Sequence, residues 1–498
     1  MRTRLLFLCL TLLSFLQSLP LWSQERPQVV VVGGGIAGLV TAYKLEQRGY
    51  RTCLLESSER LGGRIGTAHY SKGLEAEYGM QEIWEKSPLI GILRELGLQL
   101  ESSDDPFSSL LLDDHLYAFT EDTREEYFKK LFTPAERKAF DATIGELESC
   151  YTEATSKGLT PKMLKLQDMS FAEFLKARQL PPKVEQALRL TIEVELATVA
   201  EKFSALSAIL EYRTFLFGGE KNFHVPGGNS VIIGKLSDAL KGPKILGATV
   251  THVVRRQENG RLLAEVSYLK NSTEQKVQAE AVVMAVPWVM LHQIQFEPAL
   301  TEPQLRALSR LGRGQYTVIH MLLDKAVAGL WAQGDPFPVL SNAELGVIYG
   351  PHATDTNGPE IVFSFLIYGP EAEAYHMAPR DLKRDEVLEG MDAVWPGFSK
   401  YVHETFFYTY HPAAVTYWPK GRSPLDELSQ AIRTPNQGLF LAGDWTESSH
   451  AEGAVHSALL TADKVDSYLR LTSRRAGPSG TGPGLRADHP SICYRSRP

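Results

Sequence analysis

Residues 28–38 read Gln-Val-Val-Val-Val-Gly-Gly-Gly-Ile-Ala-Gly. Its four consecutive valines are typical of a parallel strand that is buried on both faces. The glycines follow at once, and residues 39–48 have the composition of a helix. Residues 51–56 then read Arg-Thr-Cys-Leu-Leu-Glu, which indicates a second strand that ends on an acid. The spacing of these features predicts a compact βαβ unit.

The glycines of this turn have separate physical roles. Gly33 permits the tight turn, Gly35 lets the backbone approach a pyrophosphate, and Gly38 lets the helix pack closely on the strand. Free N–H groups at the start of the helix attract the anion. Glu56, at the end of the second strand, can accept hydrogen bonds from ribose hydroxyls and disfavours a 2′-phosphate. The stretch therefore predicts a dinucleotide-binding site.

The middle of the chain is predicted to be mostly helical over residues 105–215. The segments that begin at Thr133 and Ser170 each have a glutamate three residues later, which is the capping-box pattern of a helix start. Apolar residues at helical spacing follow both of them. Strand patterns return at 245–254, 262–269, 279–287, 314–324, 360–368 and 403–410. The order predicts a helical insert between two β-rich regions.

Composition limits the class of protein. The 498 residues are 43% hydrophobic and 22% charged, which predicts a globular chain of two or three domains. Lys and Arg number 52 against 59 Asp and Glu, and this balance argues against nucleic acid as a partner. The chain has only four cysteines, at positions 9, 53, 150 and 493, which excludes a disulfide-stapled fold. No spacing of ligands predicts a metal site.

The two ends of the chain are not expected to belong to the globular part. Residues 1–23 combine a short basic start with a Leu- and Phe-rich run, which predicts a signal peptide and a secreted or periplasmic protein. An uncleaved anchor is the alternative, and no later stretch predicts a membrane span. Residues 473–498 are rich in Gly, Pro, Ser and Arg, and they predict a disordered tail.

Further motifs resemble those of the flavin-dependent amine oxidoreductase superfamily. Glu59-Arg60-Leu61-Gly62-Gly63-Arg64 is similar to its second signature, in which an arginine reaches the FAD phosphates. The resemblance covers most of residues 28–470 and continues, in the family's order, through Glu77-Tyr78-Gly79, Val225-Pro226-Gly227-Gly228, residues 281–287, Leu439-Phe440-Leu441-Ala442-Gly443-Asp444 and Glu452-Gly453-Ala454-Val455.

The resemblance implies an α/β fold of two lobes. One lobe is a Rossmann-like FAD-binding domain of the GR2 type, and the other is a mixed-sheet substrate domain with a helical insert. The FAD domain is expected from residues 28–85, 225–300 and 431–472, and the substrate domain from residues 86–224 and 301–430. The implied FAD contacts are Gly33, Gly35, Ile36, Ala37, Gly38, Glu56, Gly63, Arg64, Val253, Gly443, Asp444, Gly453, Ala454 and Val455.

The sequence departs from well-known family members in four places. Residues 411–421 contain no cysteine, so FAD is expected to be held non-covalently. Ala414 and His450 stand where monoamine oxidases place two aromatic rings around the amine. The strand at 311–320 offers no lysine, which leaves room for an electron acceptor other than O2. Glu82 lies where L-amino-acid oxidases place an arginine, and an acid suits a cation better than a carboxylate.

The resemblance implies an enzyme that oxidises a small-molecule amine by hydride transfer to flavin N5, with imine hydrolysis and reoxidation by O2. Alternatives are an L-amino-acid oxidase, a flavin desaturase or protoporphyrinogen-oxidase-like enzyme acting on C–C bonds, and a flavin-binding protein without turnover. A homodimer is a further expectation. The candidates for the substrate pocket are Glu82, Trp84, Tyr417, Trp418, Trp445 and His450.

Overall fold

The computed structural model describes residues 26–70, 73–103, 108–120, 123–215, 221–258, 261–331, 334–342, 344–350 and 358–475. The predicted signal peptide and the tail beyond residue 475 lie outside this part of the chain. Among the described residues, no helix has both the length and the apolar character that a bilayer crossing requires.

A five-stranded parallel sheet forms around the valine strand predicted from the sequence. Val29–Val32 pairs with Thr52–Leu55 on one side and with Ala281–Met284 on the other. All four valines are buried, as expected for a central parallel strand. The strands lie in the order Lys244–Ile245, Thr52–Leu55, Val29–Val32, Ala281–Met284 and Leu439–Leu441. Segments distant in sequence thus end at one edge of one sheet.

Both faces of this parallel sheet are covered. One face packs against the helices Ile36–Gln47, Leu89–Glu95, Ser230–Ala239 and His450–Arg475. The other face packs against a four-stranded sheet and the helices Glu302–Leu308 and Glu427–Arg433. The four strands lie in the order Thr273–Ala279, Arg261–Lys270, Thr249–Glu258 and Gln295–Glu297. The result is a layered domain that carries the glycine turn.

A seven-stranded mixed sheet forms the second lobe. Its strands lie in the order Val402–Tyr417, Gly312–Asp324, Glu360–Tyr368, Val347–Tyr349, Val339–Leu340, Ser109–Leu112 and His115–Tyr117. One face packs against the helical insert, and the other packs against the helices Gly369–Met377 and Arg380–Val394. Two small sheets complete the strands, Thr67–His69 with Glu75–Glu77, and Ile83–Trp84 with Asn222–His224 and Glu101–Ser103.

The helical insert forms much as the capping patterns predict. The hydroxyls of Thr133 and Ser170 each accept a hydrogen bond from the main-chain N–H of the glutamate three residues later. The carboxylate of that glutamate accepts one in turn from the main-chain N–H of Thr133 or Ser170. The helices of the insert are Arg124–Leu131, Pro134–Lys157, Pro161–Gln167, Phe171–Lys176, Pro182–Leu196 and Ala205–Phe215. The α/β class and the two-lobed architecture with a helical insert are thereby confirmed.

Three boundaries differ from the expectation. The start of the predicted helical region is a β-hairpin, Ser109–Leu112 with His115–Tyr117, because Asp113 and Asp114 adopt the positive φ values that a tight hairpin turn requires. The boundary between the FAD domain and the substrate domain is expected at residue 85, but the next helix, Leu89–Glu95, still packs in the core of the parallel sheet. The last helix continues to Arg475, beyond the predicted start of the tail.

Candidate active site

A cavity of about 1190 Å³ opens at the carboxyl ends of the parallel strands. Gly33 and Gly35 of the amino-terminal turn line it together with Gly443 and Asp444 of the carboxy-terminal segment. Its volume exceeds the roughly 300–1,000 Å³ of ordinary small-molecule pockets. The cavity is therefore large enough for a dinucleotide with a second, smaller molecule beside it.

The glycine turn forms a cradle with no side chain in it. Gly33 has φ +109°, which favours glycine, and its N–H donates to the carbonyl of Leu55. Gly35 begins the helix with ordinary φ, and a Cβ built on it would meet nothing within 4 Å. The second glycine turn packs against the first, since the N–H of Gly62 donates to the carbonyl of Gly34. The helix N–H groups therefore face open space that suits a pyrophosphate.

Glu56, which follows the second strand, hydrogen-bonds the backbone of the glycine turn. One of its carboxylate oxygens accepts from the N–H of Gly34 at 2.6 Å, and the other accepts from the N–H of Ser58 at 2.8 Å. The side chain also lines the cavity. The hydroxyls of Ser58 and Ser57 also lie 2.9 and 3.3 Å from the second of these oxygens, so the acceptor capacity left for a ribose hydroxyl is on the oxygen that Gly34 binds.

Arg64 and Asp444 form a bidentate ion pair in the cavity wall. The distances from the guanidinium nitrogens to the Asp444 carboxylate are 2.7 and 3.1 Å, and Arg64 also donates to the carbonyl of Ala414 at 2.6 Å. Burial alone would raise the pKa of Asp444, but the Arg64 guanidinium outweighs it and holds this pKa below its ordinary value. The Arg64 side chain remains 35% exposed towards the cavity. It therefore presents positive charge to an anionic ligand.

The other end of the cavity is acidic. Four glutamates line it, together with the phenol rings of Tyr316 and Tyr349. Burial raises the pKa of Glu82 to about 7 and that of Glu195 to about 8. The four glutamates are Glu82, Glu195, Glu211 and Glu452. We call this group the acidic compartment.

His450 lies within the acidic compartment as a cation. Its Nε2 lies 2.9 Å from the carbonyl oxygen of Glu195, and its Nδ1 lies 3.6 Å from a carboxylate oxygen of Glu211. Both neighbours are acceptors, so both ring nitrogens carry hydrogen. Burial would lower the pKa of His450, but the hydrogen bond and charge of Glu211 raise it to about 9. The imidazolium also sits at a helix start with φ +68°, where neither its charge nor its backbone is favoured.

Most of the residues expected from the sequence meet in this cavity. The lining residues among them are Gly33, Gly35, Ile36, Ala37, Glu56, Gly63, Arg64, Gly443, Asp444, Ala454, Glu82, Trp84, Trp445 and His450. Trp445 is almost fully buried, and its indole N–H donates to the carbonyl of Val286 at 3.1 Å. It is therefore a fixed wall of the cavity.

Three expected contacts do not line the cavity. Trp418 is fully buried beneath the parallel sheet, where its indole N–H donates to the hydroxyl of Ser429. Tyr417 packs its ring against Gly312 of the neighbouring strand. Val253 points into the core between the two sheets, because a bulge between Val250 and His252 shifts the register. Val250 lines the cavity in its place.

Three other expected contacts support the wall from behind. A Cβ on Gly38 would lie 1.9 Å from the carbonyl oxygen of Gly33, so this glycine permits the close contact of helix and turn. A Cβ on Gly453 would lie 1.7 Å from the carbonyl oxygen of Ser448. Val455 is buried in the core of the parallel sheet. All three set the shape of the cavity without lining it.

His320 and the two cysteines of the described residues do not line the cavity. His320 is a satisfied strand residue, since its ring bonds the hydroxyl of Tyr70 and the carbonyl of Glu77, and burial lowers its pKa to about 4. Cys53 and Cys150 are buried in hydrophobic cores. No cysteine of the described chain lines the cavity, which fits FAD held without a covalent bond.

The sequence did not single out several lining residues of the acidic compartment. Glu195 ends the helix Pro182–Leu196, and Glu211 lies in the helix Ala205–Phe215. Glu195 follows Ile192 by three residues and Glu211 follows Ala208 by three, so both acids continue an apolar helix face. An acid on such a face is the signal that could have found them, because unpaired acids are rarely buried.

Comparison with known proteins agrees with this geometry. Residues 36–466 match the model of the family described as flavin containing amine oxidoreductase. The chain is 24% identical to polyamine oxidase 3 of Oryza sativa subsp. japonica, with 88% of each chain covered. It is 27% identical to lysine-specific histone demethylase 1 homolog 1 of Arabidopsis thaliana, covering 92% of this chain but 54% of that protein, so it spans about half of that relative's length.

The fold has counterparts among solved structures. Cyclohexylamine oxidase from Brevibacterium oxydans IH-35A superposes with a TM-score of 0.74 at 18% identity, covering 90% of this chain and all of that one. Putrescine oxidase bound to putrescine superposes with a TM-score of 0.72 at 19% identity, covering 89% and 99%. With the family match running from the first helix into the last, the chain belongs to the flavin-containing amine oxidoreductases and is an FAD-dependent enzyme.

Proposed function

We propose that the protein is an exported oxidase that oxidises a C–N bond of a small amine and passes the electrons to O2, giving hydrogen peroxide. The observation that carries this proposal is the acidic compartment, which shares one cavity with the glycine cradle. Buried carboxylates favour a cationic ligand, and amines are cations at neutral pH.

The protein's own residues have distinct tasks in this reaction. FAD, when bound, supplies the acceptor for the two electrons of the C–N bond. The glycine cradle, Glu56 and the Arg64–Asp444 pair are the residues that would hold the cofactor. Tyr316 and Tyr349 narrow the compartment and form part of its wall. The substrate would thereby be held beside the cofactor, among the carboxyl groups of the compartment.

The charge balance favours an amine over an amino acid. A substrate carboxylate would need a cation in the compartment, but the positive charge of His450 is already shared with Glu211 and lies 3.8 Å from the Glu195 carboxylate. Glu82 and Glu452 add further acids on the same side. We therefore expect an L-amino acid to bind more weakly than an amine of similar size.

An amine screen tests this proposal. We expect purified holoenzyme to lose its flavin absorbance under anaerobic conditions with putrescine, spermidine or cyclohexylamine, and to form hydrogen peroxide with the same amine in air. L-leucine serves as the comparison substrate, and we expect it to react more slowly. If only L-leucine bleaches the flavin, the protein is an amino-acid oxidase. If a porphyrinogen or a polyene does so and no amine does, the C–N assignment fails.

The same screen decides the electron acceptor. The strand Gly312–Asp324 presents Tyr316 and Val318 to the cavity, where many relatives are expected to have a lysine. Flavin that is bleached by an amine but recovers only with an artificial acceptor would identify a dehydrogenase. Recovery in air with stoichiometric peroxide supports the oxidase.

Export rests on the amino-terminal sequence alone. Residues 1–23 have the pattern of a signal peptide, a short basic start followed by a Leu- and Phe-rich run. We expect the mature protein to begin close to Gln24. Amino-terminal sequencing of the secreted protein checks this, and an intact Met1 would contradict cleavage.

A further inference from the structure

Glu195 has an unusual place among the acids of the cavity. Its carbonyl oxygen accepts from His450, which fixes the end of the helix against the start of the carboxy-terminal helix. Its carboxylate lies 3.8 Å from the same imidazolium and receives no hydrogen bond from any described residue. The side chain is 28% exposed, and the exposed part faces the cavity. The carboxylate therefore borders the cavity, where its oxygens can still accept hydrogen bonds from a ligand.

The other three acids of the compartment are partly satisfied by the protein. Glu211 accepts from the N–H of Ser449 at 3.3 Å and faces Nδ1 of His450. The side chain of Asn222 hydrogen-bonds Glu82, and that of Ser87 hydrogen-bonds Glu452. These donors fix the carboxylates in the wall. Glu195 differs from them because no such donor reaches its carboxylate from the described residues, so a bound ligand could supply one.

We propose that Glu195 is the base that takes a proton from the substrate ammonium, and that His450 is the residue that positions it. This inference rests on the proposed amine oxidation. An N–H bond of the ammonium breaks, its electron pair stays on nitrogen as the lone pair, and an O–H bond forms on the Glu195 carboxylate. The neutral amine is the form that can give up a hydride. Water reaches the exposed part of the side chain and removes the proton afterwards.

The electrostatic surroundings suit this task. Glu195 is faced by His450 and Glu452 from the carboxy-terminal helix, by Glu211 from the insert, by Glu82, and by Tyr316 and Tyr349 from the second lobe. Burial raises its pKa to about 8, against the opposing charge of His450. A base is most effective when its pKa lies near the working pH. The carboxylate form accepts the proton, so kcat/KM should rise with pH up to about 8.

The pH profile of Glu195→Gln tests the inference, with putrescine and cyclohexylamine as probes. At pH 7, a group with a pKa of about 8 is roughly one-tenth ionised, whereas an alkylamine with a pKa of about 10 is roughly one-thousandth neutral. The variant has no base at this position and can react only with the small neutral fraction of the amine. We therefore expect its kcat/KM to be about 100-fold below that of the wild type at pH 7. The deficit should close as the pH approaches the pKa of the amine.

Two further variants make the outcome specific. Glu82→Gln removes a carboxyl from the same compartment, and we expect it to raise KM while keeping a rise of kcat/KM with pH, moved to lower pH because the charge of Glu82 helps to raise the pKa of Glu195. Glu195→Asp keeps a carboxylate and should restore that rise at a lower rate. The inference is wrong if Glu195→Gln keeps the rise, or if Glu82→Gln abolishes it equally. Flavin content and melting temperature of each holoenzyme show that the fold is intact.

A measurement without substrate separates this inference from the proposed function. Infrared difference spectra of the holoenzyme should show a protonated carboxyl band that disappears as pH rises through about 8 and is missing in Glu195→Gln. A wild-type protein that shows this band but oxidises no amine would refute the proposed function. Amine oxidation without any titrating band at this residue would refute the base and leave the function intact.

Discussion

Asp444→Asn is expected to give a folded protein that is purified with little or no FAD. Asp444 is 1% exposed and binds Arg64 through two parallel hydrogen bonds. An asparagine would turn an amide N–H₂ towards the guanidinium, which has only donors, so one bond would become a repulsion. Loss of one partner from a buried charged pair costs about 2–5 kcal/mol. Because Arg64 is partly exposed to the cavity, we expect the lower end, at least about 30-fold weaker FAD binding.

A second aspartate of the same region provides the control. Asp463, on the carboxy-terminal helix, pairs with Arg48 at the protein surface, and its side chain is 65% exposed. Exposed pairs of this kind contribute about 0–1 kcal/mol. We expect Asp463→Asn to keep the flavin content of the wild type. Titration of FAD into the deflavinated proteins measures the difference, and equal affinities for the two variants would show that the Arg64–Asp444 pair does not hold the cofactor.

The cofactor half of the cavity could be predicted because its residues lie in short contiguous motifs. The valine strand, the glycine turn and Glu56 fall within thirty residues, and local rules of turn and strand formation relate them directly. Gly443-Asp444 follows a buried strand, and parallel strands of one sheet end at one edge. That Asp444 pairs with Arg64 did not follow from the motifs, since neither motif contains information about the other.

The substrate half could not be predicted in the same way. Glu195 and Glu211 come from two helices of the insert, Glu82 from the segment after the second glycine turn, and His450 from the last helix. Their meeting depends on how the two lobes pack together. Sequence reasoning found Glu82 and His450 because they lie beside family motifs, and it missed the acids that no motif accompanies. The pKa of His450 is raised chiefly by Glu211 and Glu195, the two acids that no motif accompanies.

The aromatic candidates show how far proximity in sequence can mislead. Ala414 lines the cavity, and its carbonyl accepts from Arg64. Tyr417 and Trp418 lie three and four residues later on the same chain segment, but they pack against Gly312 and beneath the parallel sheet. A large aromatic side chain packs into the nearest hydrophobic core even when its neighbours in sequence line a site. Tyr417 and Trp418 are buried in the protein interior, and the phenol rings in the wall of the acidic compartment come from other strands of the same seven-stranded sheet.

Gly38→Ala is expected to destabilise the protein whether or not FAD is present. The added Cβ would lie 1.9 Å from the carbonyl oxygen of Gly33, well inside van der Waals contact, and a backbone atom cannot move aside as a side chain can. The helix Ile36–Gln47 would have to shift away from the turn. Overpacking of this kind costs about 1–3 kcal/mol, occasionally more, and we expect the upper end. A chain of this size unfolds with an entropy of about 1 kcal/mol/K, so the melting temperature of the FAD-free protein should fall by about 3 °C.

Gly35→Ala is expected to weaken FAD binding while leaving the stability of the FAD-free protein almost unchanged. Gly35 has φ −73°, which alanine adopts freely, and no atom lies within 4 Å of the added Cβ. We expect the FAD-free protein to melt within about 1 °C of the wild type, because alanine at this helix start costs at most about 1 kcal/mol. The methyl group would occupy the space through which the backbone approaches a pyrophosphate, so FAD affinity should fall at least about tenfold, or 1.4 kcal/mol. If Gly35→Ala instead lowers the melting temperature and leaves FAD binding intact, the pyrophosphate does not lie over this turn.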